Sequence, residues 1–205
     1  MKILTLTFFI AAFVISGFAQ RSGNEGMPLF WIREDGKYGY IDKTGKVVIP
    51  PQYENTMGFN EGLAATKKDG KYGYIDTKGR WVIKPQFDFT YKFSEGLAMV
   101  RSGKMYSWID RKGNTVIQPM EFEAVCEGFT EGRCAVKRGG KWGYIDRSGR
   151  IIVEPRFKKA SKFSGGVAQV ETDDGMHHWI TATGRIIWSQ DPNEKRAARP
   201  AENHQ

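Results

Sequence analysis

The sequence predicts an all-β fold, a tandem array of five three-stranded antiparallel meanders, with an open solenoid or superhelical array favoured over a closed propeller. Three observations carry this expectation. An aromatic-Gly-aromatic-Ile-Asp pentapeptide returns along the chain, beginning at residues 38, 72, 106, 142 and, in degraded form, 177. Turn signals fall every eight to ten residues or so, which leaves no room for a helix. Glycine supplies 24 of 205 residues, well above the average of about 7%. With 40% apolar and 13% aromatic residues and no Gly-X-Y period, the chain has enough apolar side chains to build a core and is neither collagen-like nor a disordered linker.

Each meander can be justified strand by strand. Segments such as Leu63–Thr66, Tyr72–Ile75 and Trp81–Ile83 are short and rich in β-branched and aromatic residues. Asp35-Gly36, Asp69-Gly70, Gly139-Gly140 and Asp174-Gly175 join the first two strands, as in tight hairpins where glycine takes positive φ without a Cβ clash. An Asp-x-x-Gly turn joins the second and third, opening on Asp42, Asp76, Asp110 and Asp146, whose carboxylates are placed to bond turn amides. A proline then follows in four copies and is expected to end the pairing. Period-two alternation puts Tyr72 and Tyr74 on one face and Gly73 on the other. Because nothing larger than Ser stands at Gly39, Gly73, Ser107 and Gly143, a bulky side chain from the adjacent repeat is expected to lie over these positions. His178 at the corresponding place fits a last repeat that nothing covers.

At the N-terminus, Met1 and Lys2 precede an apolar run, Ile3–Ile15, and small residues at Gly17 and Ala19. This reads as a signal peptide over 1–19, too short for a membrane span, which needs about 20 residues. Residues 20–24 form a short segment, 25–190 the repeat array, and 191–205 a charged, Ala- and Pro-containing tail expected to be disordered. The expected location is therefore the periplasm or the medium, with no membrane span in the mature chain. The net charge of +8 is spread along the chain, which fits a solvated surface and not a nucleic-acid binder. Cys126 and Cys134, eight residues apart in an exported chain, fit either a disulfide or two free, half-buried thiols.

The blocks Lys-Tyr-Gly-Tyr-Ile-Asp, Gly-Lys-Val-Val-Ile-Pro-Pro-Gln-Tyr and Phe-x-Glu-Gly-Leu-Ala together resemble the WG-repeat (KWG-repeat) proteins of bacteria, closest at Lys141–Asp146. The resemblance runs from about Glu25 to Trp188 and departs at Ser107, the insertion before Phe122, Arg133-Cys134 and His177-His178. It implies an all-β repeat array, often exported, and carries over no catalytic residue.

No nucleophile elbow, zincin motif or Walker loop is present in the sequence. One Asp per repeat reads as turn-capping and lacks the dense acidic spacing of a calcium loop. His177 and His178, adjacent on a strand, point to opposite faces and cannot share a metal. No catalytic residue, metal or cofactor is expected. The expected function is a non-catalytic module that holds a protein partner in the cell envelope. The alternative is a carbohydrate- or cell-wall-binding module in which Tyr38, Tyr40, Tyr72, Tyr74, Tyr106, Trp108, Trp142 and Tyr144 form exposed stacking ladders for a surface glycan. Its counterpart is that these same aromatics are the core between repeats.

Overall fold

The computed structural model describes residues 28–191. The expected leader over 1–19, the segment 20–24 and all of the expected tail beyond Asp191 lie outside the described residues.

Five antiparallel sheets follow one another along the chain, with no helix among the described residues. The first contains β1 (Phe30–Glu34), β2 (Lys37–Ile41) and β3 (Val47–Tyr53). The second is built from β4 (Asn55–Thr56), β5 (Leu63–Lys68), β6 (Lys71–Asp76) and β7 (Trp81–Phe87). The third has β8 (Phe89–Thr90), β9 (Ala98–Ser102), β10 (Met105–Ile109) and β11 (Thr115–Glu121). In the fourth, β12 (Ala124–Val125), β13 (Arg133–Arg138), β14 (Lys141–Asp146) and β15 (Ile151–Phe157) pair in that order. The fifth comprises β16 (Lys159–Ala160), β17 (Val167–Glu171), β18 (His177–Thr181) and β19 (Ile186–Gln190). No strand of the first sheet pairs with a strand of the fifth, so the array is open.

The predicted meander is present in every sheet, and four sheets add a two-residue strand at one edge. So short a strand leaves no alternation to read in the sequence. The proline does not end the third strand as expected. Instead β3, β7, β11 and β15 run through Pro50-Pro51, Pro85, Pro119 and Pro155 as edge strands with a bulge, where a missing amide donor costs no ladder bond.

That bulge accounts for the small residues between the aromatics. Tyr38 pairs with Tyr53 and Tyr40 with Ile49, so three residues of β3 lie opposite Gly39; the same register holds at Gly73 and Gly143. A Cβ on Gly73 would stand 2.4 Å from the Ile83 carbonyl oxygen and 2.7 Å from Pro85 N. What crowds these glycines is the main chain of their own repeat, not a side chain of the next one. Opposite Ser107 the bulge is shorter: Tyr106 pairs with Met120 and Trp108 with Ile117, leaving two residues between. Opposite His178 there is no bulge, because Ser189 faces it directly. Gly, Ser and His thus follow the size of the bulge across the strand.

Alternation gives each sheet two apolar faces, and stacking buries them. Tyr74, with Leu63, Ala65 and Ile83, packs against Ala98, Val100 and Ile109 of the third sheet. On its other face the second sheet turns Ala64 and Ile75 toward Tyr40, Ile49 and Tyr53 of the first. Trp108 with Leu97, Met99 and Ile117 meets Cys134, Val136 and Ile145, and Tyr144 with Val153 and Phe157 meets Ala168, Val170 and Ile180. The inner aromatic of the repeated pair, Tyr40, Tyr74, Trp108 or Tyr144, thus sits in each of the four interfaces, beside at least one further buried ring.

A second link runs through the Phe-x-Glu-Gly blocks. Glu61, Glu95 and Glu131 hold left-handed φ values of 49°, 52° and 50°, a conformation unfavourable for a residue with a Cβ. Each carboxylate accepts an amide of the next repeat: Glu61 from Gly96 at 3.0 Å, Glu95 from Gly132 at 2.9 Å, Glu131 from Gly166 at 2.8 Å. In the last block Gly165 occupies the equivalent place, with φ 62°, and no further repeat follows it among the described residues. Local strain is retained where the carboxylate has a partner and relieved where it has none.

Candidate functional site

The four recurrent aspartates sit in turns of separate sheets. The amide two residues on donates to each: Thr44 to Asp42 at 2.8 Å, Lys78 to Asp76 at 2.9 Å, Lys112 to Asp110 at 2.8 Å and Ser148 to Asp146 at 2.9 Å. Bonds from the Thr44 hydroxyl and amide hold Asp42 below the usual carboxylate range; the Asn114 side chain leads the same effect at Asp110 and the Ser148 hydroxyl at Asp146. These acids stay ionised and are occupied by their own turns. Among the described residues no group of three or more His, Cys, Asp or Glu is placed to hold a metal. His178 bridges Ser189 at 2.8 Å and Thr172 at 3.2 Å, which satisfies both ring nitrogens.

The eight repeated aromatics do not form an exposed ladder. Tyr40, Tyr74 and Trp108 are 0% exposed and Tyr144 is 1%; Tyr72 is also buried, while Tyr38, Tyr106 and Trp142 are half-buried. The Tyr74 ring lies 4.7 Å from Phe93, and its hydroxyl donates to the Tyr91 carbonyl at 2.7 Å while meeting the Thr90 hydroxyl. Tyr40 repeats this with Met57 O at 2.6 Å and Thr56, and Tyr144 with Ser161 O at 2.7 Å. Each of these tyrosines ties the segment after a short edge strand to the sheet before it. The alternative that relied on all eight aromatics loses its inner half to the core.

The third repeat makes this tie differently. Trp108 has no hydroxyl, its Nε1 is buried without a partner, and Val125 stands where Thr56 and Thr90 stand in the earlier repeats. Cys126, at the position of Met57, Tyr91 and Ser161, is joined to Cys134 of β13 by a disulfide, with Cα atoms 5.5 Å apart. Cys134 itself is buried, whereas Cys126 is half-exposed.

The segments after β8, β12 and β16 come together along the short-strand edge of the array around a cleft of about 440 Å³. Tyr91 and Trp142 supply its apolar surface, Lys92 and Lys162 bring positive charge and Glu127 negative charge. Burial, with the Glu127 carboxylate next, pushes the Tyr91 phenol up. Of the sequence-predicted residues only Trp142 and Cys126 reach this cleft. Lys92 and Lys162 belong to no repeated motif, and the signal for them in the sequence is their shared place directly before the recurrent aromatic of the block, Phe93 or Phe163.

A family profile described as a WG containing repeat matches residues 38–72, 72–106, 106–142 and 142–175. The chain belongs to the WG-repeat family. The four matched WG repeats supply the aromatic-Gly pairs of β2, β6 and β14 and the Tyr106-Ser107 pair of β10, and the fifth, degraded copy extends past the matched range. No curated protein matches the chain. Among solved structures it is similar to BamB from Moraxella catarrhalis, at 15% identity and TM-score 0.51 over 80% of this chain and 61% of that one. It is likewise similar to Hsv2p from Kluyveromyces lactis, at 13% identity and TM-score 0.54 over 79% of this chain and 60% of that one. The WG array thus spans about three-fifths of the length of these two solved structures, and at such identities the likeness is one of fold alone.

Proposed function

We propose that this WG-repeat chain is a non-catalytic interaction module, exported to the periplasm or medium, that holds a protein partner along its short-strand edge. The observation that carries this reading is the cleft, where segments of consecutive repeats bring Tyr91 and Trp142 together with Lys92 and Lys162. Aromatic anchors rimmed by charge are the composition of a protein-binding surface. An extended partner segment with apolar and acidic side chains fits it best. The four repeated aspartates are each committed to a turn of a separate sheet and so do not face one another as an acid and a base.

The test compares the native chain with a Lys92→Glu/Lys162→Glu variant as bait in an envelope fraction. Both lysines are exposed, so the melting temperature should stay unchanged while the captured partner is lost. A partner retained equally by both baits would overturn the assignment of the cleft. Trp142 keeps one member of the carbohydrate set at this surface, so binding to cell-wall glycan that disappears in Trp142→Ala, with no protein captured, would favour the carbohydrate reading instead.

A further inference from the structure

We propose that the Cys126–Cys134 disulfide is a redox-sensitive tether that fixes one wall of the short-strand-edge cleft, at the one of the four described inter-sheet contacts where the tyrosine tie is missing. The regulatory consequence rests on the reading of the cleft as the docking site, whereas the tether itself does not.

Where the inner aromatic is Tyr40, Tyr74 or Tyr144, its hydroxyl donates to the carbonyl of Met57, Tyr91 or Ser161 and so pins the segment that follows the short strand. Where it is Trp108, three changes occur together. The threonine that partners Tyr40 and Tyr74, replaced by Ala160 beside Tyr144, becomes Val125, the residue at the carbonyl position becomes Cys126, and the small residue near the start of the facing strand, Ala64, Ala98 or Ala168 elsewhere, becomes Cys134. The S–S bond now spans the gap the hydrogen bond spans in the other repeats. Once it opens, the 126–130 segment loses the covalent tie at its start and keeps the Cys126 N to Ala135 O bond at 2.7 Å, the Ser94 hydroxyl on the Phe129 carbonyl at 2.7 Å and the Phe129 ring against Trp108.

Accessibility is asymmetric. Cys126 is half-exposed and lines the cleft, while Cys134 is 1% exposed and packed against Trp108 and Ile145. A dithiol reductant therefore attacks Cys126 Sγ, forming a mixed disulfide and expelling Cys134 as the thiolate, which takes up a proton. The second thiol of the reductant resolves the mixed disulfide. Two electrons and two protons pass to the cysteine pair, and the reductant leaves as its own disulfide.

Hydrogen exchange on the oxidised and dithiol-reduced full chain tests this. Reduction should speed exchange of the 126–130 amides by about tenfold, a local opening, and leave 57–60, 91–94 and 161–164 at their oxidised rates. The Cys126→Ser/Cys134→Ala variant should show the same acceleration without reductant. Adding Trp108→Tyr and Val125→Thr to that variant rebuilds the tie of the other repeats and should remove most of it. Unchanged exchange at 126–130 on reduction, a rise spread evenly over all five sheets, or no rescue by the rebuilt tie would each overturn the proposal. Binding of anilinonaphthalene sulfonate, an anionic aromatic probe suited to Trp142, Lys92 and Lys162, is followed in parallel. A probe that binds neither redox form counts against the cleft reading, while the exchange data still decide the tether.

Discussion

Gly73→Val should be among the most damaging single substitutions in this protein. A Cβ there falls 2.4 Å from the Ile83 carbonyl oxygen and within 2.7 Å of two further main-chain atoms, Lys84 C and Pro85 N. Side chains in a core can rotate away from an added atom, but here the obstacle is the backbone of a bulge held between Tyr72–Phe87 and Tyr74–Ile83 pairs. Overpacking in a well-ordered core costs about 1–3 kcal/mol, and the rigid neighbour places Gly73→Val at or above the upper end of that range. Gly73→Ala should already lower the melting temperature, whereas Ser107→Gly, opposite the shorter bulge, should shift stability by no more than about 1 kcal/mol, the intrinsic cost of a strand glycine. Thermal unfolding of the three variants checks the order. Equal stability of Gly73→Val and the native chain would remove the bulge as the cause of the glycine.

Tyr74→Ala is the second large effect. The ring is fully buried between the second and third sheets and packs on Phe93, so truncation leaves a cavity at an inter-sheet contact. Removing a buried large aromatic costs about 3–5 kcal/mol, and the Tyr91 carbonyl and Thr90 hydroxyl lose a shared partner as well, which adds about 1 kcal/mol. The sum is comparable to the whole stability of a small domain, about 5–15 kcal/mol. Tyr74→Phe keeps the packing and should lose only the hydrogen-bond part. Denaturant unfolding of both variants separates the two contributions. A Tyr74→Ala protein as stable as the native one would mean that the aromatic is not a wedge between sheets.

Much of this architecture is legible in the sequence because it is repeated. Five copies of one pentapeptide at nearly constant spacing locate β2, β6, β10, β14 and β18, and four Asp-x-x-Gly turns and the Thr181-to-Gly184 turn place the strand that follows each of them. The two-residue strands escape because Asn55–Thr56 or Ala124–Val125 carry no periodicity, and their pairing depends on the longer strand that follows in the same sheet, β5 or β13. The reason for Gly73 escapes too. A glycine in a strand signals close approach, but only register shows that the approaching atoms belong to the bulge across the same sheet. Glu95 illustrates a third kind of gap. Its left-handed backbone and its bond to Gly132 lie 37 residues apart in sequence, so the block reads as a local bend when it is also an inter-repeat link. The cleft escapes most completely. Lys92, Glu127 and Lys162 come from three repeats and are brought together only by stacking.

The repeated inner aromatics are interior wedges and not a ligand surface, and alkaline titration of the phenols tests this most directly. Burial pushes Tyr40 up to about 12, and it raises Tyr74 and Tyr144 in the same way. A raised folded value means that the native state holds the proton more tightly than the unfolded chain. The associated stability is complete below the ordinary tyrosine value near 10 and is lost as the pH climbs through the folded values. Phenolate absorbance should therefore show Tyr40, Tyr74 and Tyr144, assigned by Tyr→Phe variants, ionising only together with the collapse of the sheet signal in circular dichroism. Reversible ionisation of all 8 tyrosines near pH 10, with the sheet signal intact, would place those rings in solvent and contradict the account.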